Sequence, residues 1–206
     1  MKKDKTRPYK ENSLYYWWAW PAELSPDQCQ RLIDLGKDKW KTSETVGSRY
    51  FNKSTKGIRK SSVFWIRDQK VNDLIWPYME SANKCAGFNY DITALEDIQL
   101  TRYCKKGFAD WHMDGVGSHR TTYDKPNNKF LHGKTRKLSM VILLNSDFEG
   151  GHFKIYSSNP KEKIEPPNMS TGSIIVFPSF LFHKVTPVTK GTRYSLVSWF
   201  VGPPFH

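Results

Sequence analysis

The chain has 206 residues, a size suited to one domain, and its 38% hydrophobic content with 8 Trp supplies material for a core. A charged fraction of 25% argues against a wholly disordered chain, and no apolar run approaches the roughly 20 residues that a membrane helix needs. Basic residues exceed acidic ones by 32 − 20 = 12, which suits an anionic partner and a merely solubilising surface equally well.

The first predicted element is an aromatic, strand-like run at residues 14–20. Ser25-Pro26-Asp27-Gln28 then reads as a helix start: a capping serine, a proline at the first helical position and a glutamine that can reach back to the cap. Cys29, Leu32, Ile33, Leu35 and Trp40 extend its apolar face to about residue 40. Residues 46–61 are polar and basic and read as loop, followed by a strand over 62–67. A second helix is predicted over 71–85 from Val71, Leu74, Ile75, Tyr78, Met79 and Ala82, with Pro77 expected to kink it or shift its start.

From residue 98 the period changes. Short runs rich in Ile, Val, Phe and Tyr recur at 98–103, 111–114, 138–144, 152–156, 173–177, 183–185 and 193–200, separated by glycine and proline. Two helices followed by seven short strands indicate a mainly β fold with some α, helices packed on an antiparallel sandwich or jelly roll. Cys29, Cys85 and Cys104 form no C-x-x-C pair, so reduced thiols in a cytoplasmic protein are expected. No signal peptide and no membrane segment is recognised, and the sequence leaves the oligomeric state open.

The chemistry is carried by His112-Met113-Asp114, a distant His183, and Arg193-Tyr194-Ser195. Residues two apart on a strand share a face, so His112 and Asp114 are expected to project together. A histidine from another strand would complete two imidazoles and one carboxylate. That set leaves coordination positions open and suits non-haem Fe(II), although its donors would also accept Zn or Mn. Activating O2 at such a metal calls for an electron source, which a chelating 2-oxo acid provides by decarboxylation. Its far carboxylate requires a cation, and the planar guanidinium of Arg193 can grip it with two parallel hydrogen bonds. Ser195 falls on the same face as Arg193, as do Val197 and Trp199. An isolated histidine is more often structural than ligating, so His119, His132 and His206 are read as solvated.

These residues resemble the prolyl 4-hydroxylase-like branch of the Fe(II)/2-oxoglutarate oxygenases, in particular its small bacterial and phage members. The matching stretches are Gln99-Leu100-Thr101-Arg102-Tyr103, His112-Met113-Asp114, Arg136-Lys137-Leu138-Ser139 to Leu144-Asn145, Phe148-Glu149-Gly150-Gly151, Gly172-Ser173 to Phe177-Pro178, and His183-Lys184-Val185 to Trp199. The resemblance implies a double-stranded β-helix core over about 98–204, buttressed by N-terminal helices and strands over about 14–97, in one domain spanning 1–206. It implies Fe(II) on His112, Asp114 and His183, 2-oxoglutarate on Arg193 with Tyr103 and Ser195, O2 as second co-substrate, and L-ascorbate as a reductant. Trp199 would line the substrate pocket. His152, read from its position after Gly150-Gly151, could face that pocket too, but a structural role is the preferred reading. Some relatives place a co-substrate-binding tyrosine where this chain has Leu143.

The expected activity is hydroxylation of an unactivated C–H bond, with a prolyl residue of a peptide or protein as the first choice and succinate and CO2 as co-products. Two other readings remain. Oxidative demethylation of nucleic acid is encouraged by the basic charge, but the further arginines of that branch are not found around Arg193. A non-catalytic jelly-roll binding module should have lost a ligand or the arginine, and all are present. Residues 115–137, polar and basic with Gly115, Gly117 and Gly133 as hinges, are expected to form a lid at the pocket mouth.

Overall fold

The computed structural model describes residues 15–42, 59–115, 122–156, 166 and 168–205. The basic residues 1–10, most of the predicted loop at 46–61, and Gly117, His119 and Arg120 of the long insertion lie outside the described residues.

In chain order the elements are β1 (Trp18–Trp20), α1 (Pro26–Asp34), β2 (Lys41–Thr42), β3 (Arg59–Lys60), β4 (Ser62–Ile66), α2 (Gln69–Cys85), β5 (Ala94–Leu95), β6 (Ile98–Tyr103) and β7 (Phe108–His112). Then follow β8 (Thr135–Leu143), β9 (Phe148–Gly150), β10 (Phe153–Tyr156), β11 (Ile174–Pro178), β12 (Phe182–Val185), β13 (Val188–Gly191) and β14 (Arg193–Gly202). They form an eight-stranded sheet in the order β1-β11-β8-β14-β6-β4-β2 with β5 on β14, a four-stranded sheet β10-β12-β7-β3, and a ribbon of β9 and β13. All pairings between these strands are antiparallel. The result is a jelly roll with helices on one side, as the alternation of short strands predicts. Strands from the N-terminal half enter both sheets, so that half contributes walls as well as buttresses.

Helix α1 starts where the capping signal places it. The Ser25 side chain accepts from the Gln28 amide, and the Gln28 side chain accepts from the Ser25 amide. It ends at Asp34, earlier than the predicted residue 40. The chain turns at Gly36, where a Cβ would come within 2.7 Å of the Leu100 side chain. Trp40 leaves the helical face and stacks under the Arg102 guanidinium, 4.8 Å from its ring centre. Helix α2 begins at Gln69 behind an Asp68 cap and continues through Pro77. Its buried face is Val71, Ile75, Met79 and Ala82, spaced by three and four residues.

That face packs with Leu32 against Leu100, Leu138, Met140, Ile142, Leu196 and Phe200 of the large sheet. Each such side chain, once fully buried, contributes about 1.5–3 kcal/mol. The other face of the large sheet looks toward the small one: Val141, Ile175 and Phe177 meet Ile155, and Phe177 lies 5.5 Å from the Phe153 ring. Strand β8 is covered on both sides, which explains why residues 137–143 are all buried and read as a nearly continuous apolar run. Among the described residues, no helix is long and apolar enough to cross a membrane.

Candidate metal centre and co-substrate pocket

Strand β12 places His183 opposite His112 of β7, and the two rings lie 4.3 Å apart. The register shifts between His183 and Val185, a bulge that brings both imidazoles inward although Ala109 and His112 are three residues apart. Asp114 sits just past the end of β7, so strand alternation alone does not bring it to His112. Its amide donates to the Ser179 carbonyl at 2.9 Å, which turns the chain and aims the carboxylate back at the imidazoles. Asp114 Oδ2 is 3.4 Å from His183 Nε2, and Oδ1 is 3.9 Å from His112 Nε2. One donor atom from each of the three residues falls within 4.8 Å of the others, a cluster that could hold one metal ion.

The nitrogens not facing the cluster have partners. His112 Nδ1 is 2.7 Å from the Asp110 carbonyl and His183 Nδ1 is 2.9 Å from the Leu181 carbonyl. A carbonyl can only accept, so each Nδ1 carries the proton and each Nε2 presents a lone pair to the cluster. Burial pushes the Asp114 carboxyl up, but His183, His112, Arg136 and the Trp199 indole outweigh it and hold it at about 2. The Trp199 N–H is near enough to contribute yet lacks hydrogen-bond geometry to any acceptor. Burial pushes His183 down to about 4, against the opposing pull of Asp114. At neutral pH the cluster therefore holds one carboxylate and a neutral His183 imidazole, the protonation states a divalent cation requires.

Strand β14 supplies a second wall of the site. Its register sets Arg193 opposite Tyr103, Ser195 opposite Thr101 and Leu143, and Trp199 opposite Ser139. Arg193 is 1% exposed, yet no described carboxylate pairs with it. Its Nη1 donates to Ser195 Oγ at 2.9 Å, the Tyr103 ring centre lies 5.6 Å from the guanidinium carbon, and Nε has no partner. Burial lowers its pKa from the ordinary arginine value, with Tyr103 opposing. Leaving a buried guanidinium without an anion costs several kcal/mol, of order the penalty for any uncompensated buried ion. That cost is intelligible if a dicarboxylate completes the site, and the residues present fit one. Gly151 makes room: a Cβ there would lie 3.0 Å from Arg193 Cδ.

Tyr103 and Trp199 are both 5% exposed, on the strands that also carry Arg193 and its partners. Trp199 lies under Arg136, whose guanidinium is 4.0 Å from its ring centre. Arg136 in turn grips Glu96 with two 2.7 Å hydrogen bonds. Burial lowers the Arg136 pKa, but Glu96 more than reverses this, so the pair stays ionised. Leu143 is buried beside Ser195 and leaves Arg193 with Ser195 and Tyr103 as neighbours. His152 is exposed, its backbone amide donating to the Thr186 hydroxyl and its carbonyl accepting from the Thr186 amide.

Sequence reasoning missed Ser139, Ser179 and Glu96. Ser139 donates to Asp114 Oδ2 at 2.7 Å and lies 2.9 Å from Ser179. A serine inside the apolar run Leu138 to Leu144 was the available signal, because a buried hydroxyl needs a partner. The described second half of the long insertion is folded. Tyr123 is 6% exposed, bridges to His132 and donates to Glu96 at 2.7 Å, while β8 begins at Thr135.

The 2OG-Fe(II) oxygenase superfamily model matches residues 98–201, and the chain belongs to that superfamily. It is therefore an Fe(II)- and 2-oxoglutarate-dependent dioxygenase, using O2. Over 188 residues it is 28% identical to a protein of Acanthamoeba polyphaga mimivirus that carries the name of a prolyl 4-hydroxylase, covering 86% of this chain and 70% of that one. Bacterial PKHD-type hydroxylases also match, but over only 27–41% of their own length. The fold is similar to the viral collagen prolyl hydroxylase of Paramecium bursaria Chlorella virus-1 in its 2-oxoglutarate complex, with TM-score 0.62, 19% identity, and coverage of 91% of this chain and 97% of that chain. It is likewise similar to a Trichoplax adhaerens prolyl hydroxylase bound to a hypoxia-inducible-factor peptide, with TM-score 0.64, 18% identity, and coverage of 90% and 83%.

Proposed function

We propose that this chain hydroxylates a prolyl residue of a peptide or protein, with His112, Asp114 and His183 holding the iron and Arg193, Ser195 and Tyr103 holding 2-oxoglutarate. The observation that carries this reading is the buried, anion-free guanidinium of Arg193 on the same interior as a complete His-Asp-His cluster. When bound, iron and 2-oxoglutarate supply the oxidising power for O2 activation, and the co-substrate leaves as succinate and CO2. The chain's own residues do the positioning. His112 and His183 present unprotonated Nε2 atoms because their Nδ1 protons are engaged by backbone carbonyls. Arg193 fixes one end of the co-substrate by charge and Ser195 orients the guanidinium. Trp199, clamped beneath Arg136, forms an apolar wall beside Asp114 that excludes water from the reacting centre.

The prolyl substrate is supported by relatives named for prolyl hydroxylation and by a structural neighbour solved with a peptide. All 206 residues are read as one functional unit, with ascorbate as the reductant that keeps iron ferrous. The test is succinate release from the chain loaded anaerobically with Fe(II), screened against proline-containing peptides and nucleic-acid pools with mass readout. Gain of one oxygen on a prolyl residue is the expected result. Formaldehyde release from a methylated base instead would replace prolyl hydroxylation with nucleic-acid demethylation.

A further inference from the structure

Ser139 and Ser179 come from two different strand regions and meet behind the metal cluster. Ser139 lies on β8, and Ser179 immediately follows β11. Both are 0% exposed. A serine hydroxyl has one proton to give. Ser139 gives its proton to Asp114 Oδ2 at 2.7 Å, so the 2.9 Å contact with Ser179 must run from the Ser179 hydroxyl to Ser139 Oγ. The result is a directed relay, Ser179 to Ser139 to Asp114. The same Ser179 accepts the Asp114 amide through its carbonyl, and its own amide donates to the Lys137 carbonyl. Ser179 thus fixes both the backbone of Asp114 and, through Ser139, its carboxylate.

Packing does not account for these hydroxyls. Ser139 is paired in register with Phe177 and Trp199 and flanked in sequence by Leu138 and Met140, surroundings in which alanine would fill nearly the same space without a buried polar group to satisfy. Oδ2 is the oxygen nearer His183, at 3.4 Å, and it is the one Ser139 engages, while Oδ1 is turned toward His112.

We propose that Ser139, backed by Ser179, is a positioning residue that sets the orientation in which Asp114 meets the iron, tying down Oδ2 so that the carboxylate acts through a single oxygen. A carboxylate free to rotate can offer both oxygens to a cation and fill a position that the 2-oxo acid or O2 needs. The inference rests on the iron centre and is independent of the prolyl reading.

The test uses the full chain, stripped of metal and titrated anaerobically with Fe(II) against a competing chelator, followed by the charge-transfer absorbance that appears when 2-oxoglutarate chelates the iron. Ser139→Ala is expected to bind Fe(II) about tenfold to a hundredfold more weakly, the usual effect of losing a hydrogen-bond partner to a metal ligand. Its charge-transfer absorbance should shift, while the metal-free protein unfolds at nearly the wild-type temperature. Ser139→Thr keeps the hydroxyl and should recover most of the affinity. Ser179→Ala should show the same defect in weaker form, about severalfold, because the remaining Ser139 bond loses only its support. Should Ser139→Ala fail to fold, Ser139→Cys, with a weaker donor of similar size, is expected to show the same loss. Unchanged Fe(II) affinity and absorbance in the alanine or cysteine variant overturn the proposal. So does a threonine variant that folds and is as impaired as alanine, since shape and not the hydroxyl would then matter. No peptide substrate is used, so failure of the prolyl assignment leaves this result standing.

Discussion

Strand β14 holds Arg193, Ser195, Val197 and Trp199 on one face of a strand that stays in register with β6 and β8 from Ser195 to Val197. On the metal side, β7 reaches His112 only after a register shift, and Asp114 lies beyond the strand's end. The Arg193 wall is thus one continuous element whose spacing does the placing. The metal corner is assembled from three chain segments, each corrected by hydrogen bonds to backbone carbonyls and to two serines. The continuous wall carries an unpaired positive charge, whereas the assembled corner holds the Asp114 carboxylate beside the neutral His183 imidazole. One side is prepared for an anion and the other for a cation.

The largest effects should come from breaking the assembled side. His183→Ala, His112→Ala or Asp114→Ala each removes a donor from a cluster of only three, and succinate production is expected to vanish. The scaffold should survive, because β7 and β12 remain paired through the backbone and the large sheet is untouched. Succinate assays alongside thermal unfolding check both halves, and full turnover by any of these variants would remove the cluster from the chemistry.

On the continuous side, the unpaired charge gives two opposed outcomes. Arg193→Lys replaces a planar fork by a point charge and should raise the 2-oxoglutarate requirement about tenfold to a hundredfold, from the roughly 1.5–3 kcal/mol of a charge-assisted hydrogen bond. Arg193→Met removes the buried charge altogether. It should abolish co-substrate binding while leaving the ligand-free protein as stable as wild type or more so, since a well-packed apolar chain replaces an uncompensated ion. Wild type, in contrast, should gain about 2.7 kcal/mol of stability at 2-oxoglutarate concentrations of a hundred times Kd. Unfolding curves with and without 2-oxoglutarate measure this directly. A destabilised, ligand-free methionine variant would show that Arg193 has a partner within the fold.

The same contrast explains what the sequence disclosed. Arg193, Ser195 and Trp199 are two or more even steps apart on a single strand, so alternation placed them together, and their pairing with Tyr103 follows from adjacent strands. The jelly roll was legible because its strands are short apolar runs between glycines and prolines. His112, Asp114 and His183 were recognised as a chemical set, but the reason Asp114 joins it was not alternation. That depends on the Ser179 carbonyl, 65 residues away in sequence, and no local pattern encodes such a contact. His152 follows Gly150 and Gly151, which left a pocket-facing ring open beside the preferred structural role; the residue is exposed and its amide is held by the Thr186 hydroxyl, a contact 34 residues away that no local pattern encodes. The early end of α1 was hidden similarly, since Trp40 keeps helical spacing with Leu32 and Ile33 but packs against β6 and β14.

The smallest predicted effect concerns the segment that leaves Asp114. Its second half is folded back on the sheet: the Tyr123 amide donates to the Lys134 carbonyl, the Gly133 amide to the Tyr123 carbonyl, and the Tyr123 ring packs with Val201, Ala94 and Leu131. The hydroxyl is its polar tether, donating to Glu96 alongside both Arg136 bonds. Tyr123→Phe keeps the ring and the backbone pairing and deletes one of three donors to Glu96. Because Arg136 still neutralises that carboxylate, global stability should fall only by about 1 kcal/mol, near the net worth of one hydrogen bond. Locally the loss should be visible: amide exchange at residue 123 and at Gly133 should speed up about fivefold, the equivalent of that energy, while β8 amides stay protected. If the segment is a lid over the substrate, the variant should also show a raised KM for the peptide with unchanged substrate-free decarboxylation of 2-oxoglutarate, since no atom near Arg193 or the metal cluster is altered. Faster exchange with an unchanged peptide KM would leave a tethered surface hairpin and no lid. Unchanged exchange would mean that packing of the ring against Val201, and not the bond to Glu96, holds the segment down.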